Sequence, residues 1–287
     1  MQEQGILKSI WFFIRGIMAT LLMGVVAYLC KFILQALKTD AEPHLLEIVS
    51  FAIWAVLMVA VVIISKESFV ESFRIFTPEF SVFPKKRPVY VILLMLTGVV
   101  FGITLNRLVT IAVDLLPVPE TWVAANAESV GSAMSGNPVL MIIALYLVAP
   151  IWEELIFRGR AYWLFEKALP GRIGTYFAMI LTCAVFAFLH GNNLQAVYAF
   201  LCGIVFCLID LHTKTIFTSV AAHIGFNVSN ILIAAVITGR DAATKTAVNV
   251  ICMVILVISA VAIYIIGTLG TEKKEEEVSE DEYSIYR

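Results

Sequence analysis

The decisive stretch of this sequence is Pro150-Ile151-Trp152-Glu153-Glu154-Leu155-Ile156-Phe157-Arg158-Gly159, which follows an unbroken apolar run over 139–149. It places two carboxylates and a guanidinium where lipid is the expected solvent, and an ionised side chain at mid-bilayer costs about 3 kcal/mol on insertion scales. In a helix, Glu154 and Arg158 lie on one face, whereas Glu153 is rotated by about 100°. We therefore expect Arg158 to pair with one carboxylate, which leaves the other available for chemistry.

The composition of the chain is that of a membrane protein. Of its 287 residues, 60% are apolar and only 15% are charged, whereas soluble domains have about 45–50% apolar and about 25% charged residues. The net charge of -2 provides no general attraction to nucleic acid. The sequence therefore predicts an all-α polytopic membrane protein that contacts the lipid bilayer and no nucleic acid.

Eight apolar segments are long enough to cross a bilayer, which takes about 20 residues in a helix. They indicate a bundle of about eight transmembrane helices with a polar intramembrane cavity. We predict a single helical domain over 1–270, whose motif-bearing core covers about 138–237, and an acidic, disordered cytoplasmic tail over 271–287. The predicted spans are 10–37, 46–65, 88–116, 138–158, 173–190, 194–211, 215–237 and 246–269.

Lysine and arginine are concentrated in alternate connections between these segments, and such residues mark the cytoplasmic side of a membrane. The connection over 66–87 is basic, whereas the connection over 117–137 contains no Lys or Arg. We therefore expect both termini to be cytoplasmic and residues 117–137 to form an outer loop or partial lid. The expected location is a bacterial cell membrane, which the chain crosses several times.

Few other polar side chains lie within the apolar spans. His190 is at the end of one span, and His223 and Asn227 share a helix face because they are four residues apart. Counting about 1.5 Å per residue from the cytoplasmic turns allows these three side chains and Glu153 to occupy one layer of the bundle. Asp210, in contrast, is more typical of a turn or an interface.

The backbone just before the carboxylates is expected to be irregular. Pro150 removes one helical hydrogen bond and kinks the helix, which frees the carbonyl near Tyr146. Such backbone is tolerated at membrane depth where it faces protein or a wet cavity. The expected kink therefore supports a polar site near Glu153.

This set of side chains has the composition of a hydrolytic site. A carboxylate beside a neutral imidazole can hold one water molecule and accept its proton, which makes a nucleophile without serine or cysteine. Glu153 and His190 are the candidates for this step. The His223 ring and the Asn227 amide are candidates to stabilise the oxyanion formed when an amide is attacked, and such donors contribute about 3 kcal/mol each.

Three motifs carry a resemblance to a known family. They are Glu153-Glu154-x-x-x-Arg158, Phe186-x-x-x-His190 and His223-x-x-x-Asn227, each in an apolar span. In order and residue type they resemble the motifs of the CAAX protease and bacteriocin-processing (Abi) family, to which the Ras-converting CAAX endopeptidase belongs. The resemblance covers about 138–237 and implies an eight-helix intramembrane endopeptidase that depends on glutamate. By motif position, Glu153 and His190 hold the water, His223 and Asn227 stabilise the oxyanion, and Glu154 and Arg158 support them.

The resemblance does not define the substrate. Cleavage after a prenylated cysteine belongs to the eukaryotic branch of the family, whereas bacterial relatives are linked to peptide maturation and bacteriocin self-immunity. We expect a membrane-associated, lipidated or leader peptide that reaches the site from the lipid or from the cytoplasmic face. The sequence gives no indication of the oligomeric state.

Two other functions are compatible with the same residues. Glu153, His190 and His223 have the number and type of ligands that a catalytic zinc takes, but the chain has no His-Glu-x-x-His motif, and we expect no cofactor. The five cysteines lie in apolar runs without metal-type spacing. A kinked helix with carboxylates near its break also suits a non-catalytic membrane protein, such as a transporter, an immunity factor or a scaffold. Against a transporter, the sequence has no detectable inverted repeat.

Overall fold

The structure of the protein, a computed structural model, describes residues 2–36, 52, 56, 87–133, 137–169 and 171–285. Within these residues every regular element is a helix, which confirms the all-α prediction. Many large apolar side chains on the helices are exposed, among them Leu96, Val257 and Ile258. Exposure of this kind is expected where lipid, and not water, surrounds a helix.

The described helices are numbered in chain order. They are α1 (Gln2–Ala36), α2 (Arg87–Leu115), α3 (Glu120–Ala133), α4 (Pro138–Ala168), α5 (Arg172–Phe188), α6 (Asn193–Thr213), α7 (Ile216–Ile237) and α8 (Ala242–Ile285). Helix α4 begins with a proline behind an asparagine cap, since Asn137 Oδ1 accepts hydrogen bonds from the Val139 and Leu140 amides. Helix α7 likewise begins after Thr215, whose hydroxyl accepts from the Phe217 amide.

Five of the described helices are long and apolar enough to cross a membrane, namely the segments Val89–Leu115, Pro138–Ala168, Asn193–Thr213, Ile216–Ile237 and Ala242–Leu269. The protein is therefore an integral, multi-pass membrane protein. Helix α5, at 17 residues, is a shorter apolar helix, and the predicted span over 10–37 falls largely within α1. The predicted span over 46–65 lies outside the described residues except for 52 and 56. The count of eight transmembrane helices stays a prediction.

The connection over 117–137 differs from the predicted loop because it contains the 14-residue helix α3. The prolines in this connection precede the helix, and the amides of Trp122 and Val123 bond to the Pro119 carbonyl. Proline is tolerated at a helix start, and the alanine-rich sequence that follows favours helix. The connection is therefore helical over Glu120–Ala133, and its predicted role as an outer loop or partial lid stays a prediction.

The last helix continues into the acidic segment. At its start, Asp241 Oδ1 accepts a hydrogen bond from the Thr244 amide at 2.9 Å, and bonds from the Thr244 side chain and backbone lower the pKa of Asp241. Helix α8 then runs to Ile285. The disorder expected over 271–287 stays a prediction. Glu and Lys are good helix formers, and a helix that is already nucleated extends without a further nucleation cost.

The described helices fall into two compact groups. Unit 1 takes the described parts of Met1–Ile75 and Pro119–Ile204, and unit 2 takes those of Phe76–Val118 and Val205–Arg287. The boundary after residue 204 lies inside α6, so no linker separates the groups there. The prediction of a single domain over 1–270 stays a prediction.

In unit 1, helix α1 packs against the carboxyl-terminal half of α4. The Phe13 and Phe165 rings lie 5.5 Å apart. Helices α4 and α5 share a buried apolar cluster in which the Phe157 and Phe186 rings meet edge to face at 5.1 Å. Such aromatic pairs contribute about 0.5–1.5 kcal/mol beyond their buried area. This cluster is adjacent to Arg158 of the decisive stretch.

In unit 2, helices α2 and α7 approach each other closely. Small residues allow such an approach, and a Cβ atom at Gly102 would overlap the carbonyl oxygen of Ala222. Farther along the same pair of helices, Ser229 Oγ donates to the Ile103 carbonyl at 2.9 Å. The contact at Ala222 thus supports α7 directly beside His223.

Replacing Gly102 with alanine is expected to destabilise unit 2. The new methyl group meets backbone atoms, which cannot rotate away, so overpacking should cost about 1–3 kcal/mol. Thermal unfolding of the purified protein in detergent measures the effect. Gly131→Ala on α3 is the matched control, because nothing lies within 4 Å of a Cβ atom there. Equal melting temperatures for the two variants would contradict the packing described.

Candidate active site

The backbone around the decisive stretch departs from regular α-helix twice. Ala144–Val148 and Leu155–Ala161 are π-helical, and they flank the short α-helical segment Ala149–Glu154. In the first π segment the Ala149 amide bonds to the Ala144 carbonyl, five residues earlier. Pro150 follows at once, so the predicted irregular backbone is present. Single π-helical turns within α-helices are frequent at functional sites.

The predicted ion pair of this stretch is confirmed. Arg158 Nη1 donates to Glu154 Oε1 at 3.1 Å, and the two side chains are 2% and 0% exposed. Two charges this deeply buried are retained only when they are paired, because each costs several kcal/mol to desolvate. Arg158 is thus held by Glu154, as the i, i+4 spacing predicts.

Two further residues, Phe186 and Gly203, lie against the Arg158 guanidinium. Its central carbon lies 4.5 Å from the centre of the Phe186 ring, over the ring face, which is a cation–π contact. On another side is Gly203 of α6, where a Cβ atom would lie 2.8 Å from Arg158 Nη2 and 3.2 Å from Cys183 Sγ. The absence of a side chain at Gly203 therefore makes room for the guanidinium.

The two glutamates differ in burial. Glu154 is fully buried, whereas Glu153 is only partly buried. This difference is the expected consequence of the rotation of about 100° between neighbouring residues of a helix. Glu153 is therefore the more accessible of the two carboxylates.

His190 lies just beyond the end of α5 and is held by its own helix. Its Nδ1 atom is 2.8 Å from the Phe186 carbonyl oxygen. A carbonyl oxygen only accepts, so Nδ1 carries the proton and, in the neutral ring, Nε2 carries the lone pair. The His190 ring also meets the Phe186 ring edge to face at 4.6 Å. This arrangement presents Nε2 as the acceptor that a base requires.

Phe186 joins the first two motifs in a way that the sequence analysis missed. The sequence shows that Phe186 is part of the second motif. Its contacts could not be predicted, because they depend on the packing of α4 against α5. Its ring touches the Arg158 guanidinium and the His190 ring, and its carbonyl binds His190 Nδ1. The ion pair of α4 and the histidine of α5 are therefore linked through one side chain.

The third motif lies in unit 2, on helix α7. His223 is 6% exposed, and its ring lies 5.5 Å from the Phe206 ring of α6. Asn227 is half-buried, one turn farther along the same face of α7. The predicted common layer, in which Glu153 meets His190 and both meet the third motif, stays a prediction, as does the polar cavity.

A buried polar pair links α6 to α7 one turn from His223. Ser219 Oγ donates to Asp210 Oδ2 at 2.8 Å, and the two residues are 0% and 2% exposed. Asp210 therefore bonds to the neighbouring helix, and its predicted place at a turn or at the membrane interface stays a prediction. The Ser219 partner was missed because a lone serine in an apolar helix carries no signal of its own.

The described cysteines and the possible metal ligands give no sign of a metal site in this part of the chain. Cys183, Cys202, Cys207 and Cys252, the cysteines whose side chains the structure describes, are buried free thiols. In the part of the chain that the structure describes, no three His, Cys, Asp or Glu side chains are grouped so that they could hold a metal ion.

The fold and these contacts define a helical membrane protein with ionisable side chains paired inside apolar helices. Comparison with known families gives one match, which covers about a third of the chain. Residues 135–229 match the family model for Rce1-like proteins, described as Type II CAAX prenyl endopeptidase Rce1-like. This match contains all three motifs, and it confirms the resemblance to the CAAX protease and bacteriocin-processing family.

The match supports an endopeptidase that works on a peptide substrate in a membrane, because the Rce1-like family is a family of proteases. No curated protein and no solved structure matches the chain.

Proposed function

We propose that this protein is an intramembrane endopeptidase in which Glu153 and His190 activate a water molecule. The observation that carries the proposal is the bond from His190 Nδ1 to the Phe186 carbonyl, which leaves Nε2 as an acceptor. The Glu154–Arg158 pair adds to it, because Arg158 Nη1 donates to Glu154 Oε1 and Glu154 is thereby a carboxylate that neutralises the guanidinium. Glu153 then serves as the carboxylate of the site.

In the proposed reaction, the water molecule gives a proton to the Glu153 carboxylate while His190 Nε2 holds and orients it. The resulting hydroxide attacks the carbonyl carbon of the scissile amide. A general base of this kind contributes about 10²–10⁴-fold to the rate. No covalent bond to the protein is formed, so no serine or cysteine nucleophile is needed.

Attack places negative charge on the carbonyl oxygen. We assign its stabilisation to the His223 ring and the Asn227 amide, by their position in the third motif. Each such donor contributes about 3 kcal/mol in comparable sites. The proton held by Glu153 then passes to the amide nitrogen, the C–N bond breaks, and the two peptide products leave.

The proposed substrate is a membrane-associated, lipidated or leader peptide. The name of the matching family refers to prenylated CAAX substrates, so a prenylated peptide belongs among the candidates. Entry of the peptide from the lipid or the cytoplasmic face, and cytoplasmic termini, are parts of the same proposal. The cytoplasmic position of the termini rests on the basic connections of the sequence.

The experiment that tests this function compares purified wild-type protein with His190→Gln on a panel of peptides. The panel contains prenylated peptides ending in a CAAX sequence and unmodified leader peptides, and mass spectrometry identifies the products. We expect a single cut by the wild type and none by the variant. Equal cleavage by both proteins, or biological activity that survives the substitution, would favour a non-catalytic membrane protein instead.

Metal removal gives a separate expectation. Because the proposed water is activated by Glu153 and His190 alone, cleavage should continue after exhaustive dialysis against a strong chelator. A catalytic zinc would instead provide the Lewis acid of the reaction, and its removal would abolish cleavage. Loss of activity on chelation, restored by added zinc, would replace the glutamate mechanism with a metal-dependent one.

A further inference from the structure

The geometry points to Asp210 and Ser219 as positioning residues that set the orientation of His223. This inference rests on the oxyanion role proposed above for His223. The pair is buried, with Ser219 0% and Asp210 2% exposed, and Ser219 Oγ donates to Asp210 Oδ2 at 2.8 Å. Neither residue is part of the three motifs.

The placement of the pair relative to His223 supports the inference. Helices α6 and α7 are joined by a tight turn in which Lys214 has a φ of 55° and Thr215 caps α7. Asp210 and Ser219 form a hydrogen bond between the two helices near this turn. One helical turn farther from it, the Phe206 and His223 rings lie 5.5 Å apart.

The two contacts are therefore one helical turn apart along the same antiparallel pair of helices. Phe206 precedes Asp210 by four residues, and His223 follows Ser219 by four residues, so each helix contributes both members from one face. A slip of α7 by one residue along α6 would break the Ser219–Asp210 hydrogen bond. It would also shift His223 by about 1.5 Å and rotate it by about 100°. Ser219 Oγ also lies 3.0 Å from the Ile216 carbonyl oxygen of its own helix, and the shorter contact to Asp210 favours the observed register.

The expected effect on catalysis is larger than the effect on stability. Polar contacts between membrane helices shift a folding equilibrium by about threefold on average, whereas a misplacement of about 1 Å in a catalytic group costs up to about 10²-fold in rate. Loss of the Ser219–Asp210 bond should therefore lower kcat by about 10- to 100-fold. KM should change little, since both side chains are buried and not presented to a substrate.

The experiment uses the full-length protein in detergent with Ser219→Ala, Asp210→Leu and Asp210→Asn. Asparagine keeps an oxygen that accepts from Ser219, so this variant should retain kcat, while the other two should lose it. The control is Ser259→Ala, which removes a buried hydroxyl that donates to the Leu256 carbonyl of its own helix. Its kcat should match the wild type.

A second readout does not depend on catalysis. The chain has four histidines, so labelling of histidine rings gives an NMR spectrum in which His223→Asn identifies the His223 signal. That signal should move in Ser219→Ala and stay in place in Ser259→Ala. An unmoved signal, or a kcat for Ser219→Ala equal to that of the control, would overturn the inference. A moved signal in a protein that cleaves no peptide would uphold the positioning of His223 and reject the proposed function.

Discussion

Replacing Glu153 with glutamine is expected to lower the rate of peptide cleavage by about 10²–10⁴-fold, the contribution of a general base. The amide has the shape of the carboxylate but does not accept the water proton. Glu153 is partly buried and lies outside the Glu154–Arg158 bond, so the protein should still insert and fold. Single-turnover cleavage of a peptide found with the wild type measures the loss.

The matched control for this variant is Glu166→Gln on the same helix. Glu166 Oε1 accepts hydrogen bonds from Thr175 Oγ1 at 2.9 Å and from the Tyr162 hydroxyl at 3.2 Å. A glutamine oxygen accepts the same bonds, so cleavage should stay close to that of the wild type. Full activity in Glu153→Gln would rule out Glu153 as the base.

Replacing Arg158 with methionine is expected to destabilise the protein by about 3–5 kcal/mol, because it leaves the buried Glu154 carboxylate without its cation. It also removes the cation over the Phe186 ring, which contacts His190. Activity should therefore fall together with stability. Thermal unfolding in detergent and cleavage assays on the same preparation measure the two effects.

Two companion variants separate charge from packing. Glu154→Met combined with Arg158→Met removes both charges, and such replacements of buried pairs are often neutral or stabilising, so most of the stability should return. Arg107→Met removes a guanidinium that donates to the neutral Asn249 Oδ1 at 2.7 Å. Because Asn249 carries no charge, we expect the free energy of unfolding to fall by only about 1–2 kcal/mol. If the double variant were as unstable as Arg158→Met, the buried charge would not be the cause.

Local spacing explains what was predictable from the sequence. The Glu154–Arg158 pair follows from residues four apart on a helix, and the irregular backbone follows from Pro150. Both depend only on neighbours along the chain. The helical class and the membrane location follow from the apolar segments in the same way.

The rest of the candidate site depends on how helices pair, which has no local signal. The link through Phe186 needs α4 beside α5, and the Asp210–Ser219 bond needs the register of α6 on α7. The π-helical segment Leu155–Ala161 contains Arg158. No repeat in the spacing of its apolar residues indicates that it is π-helical. Helix α3 was missed because prolines at a helix start look the same as prolines in a loop.

The central claim is that Glu153 and His190 act on one water molecule. A double-mutant cycle in single-turnover cleavage tests it most directly, with Glu153→Asp, His190→Gln and the two combined. Residues that act as a unit have strongly non-additive effects, so we predict that the double variant is no slower than the slower single variant. A double variant whose loss is the product of the two single losses would show that the two side chains act independently, and it would contradict the shared water.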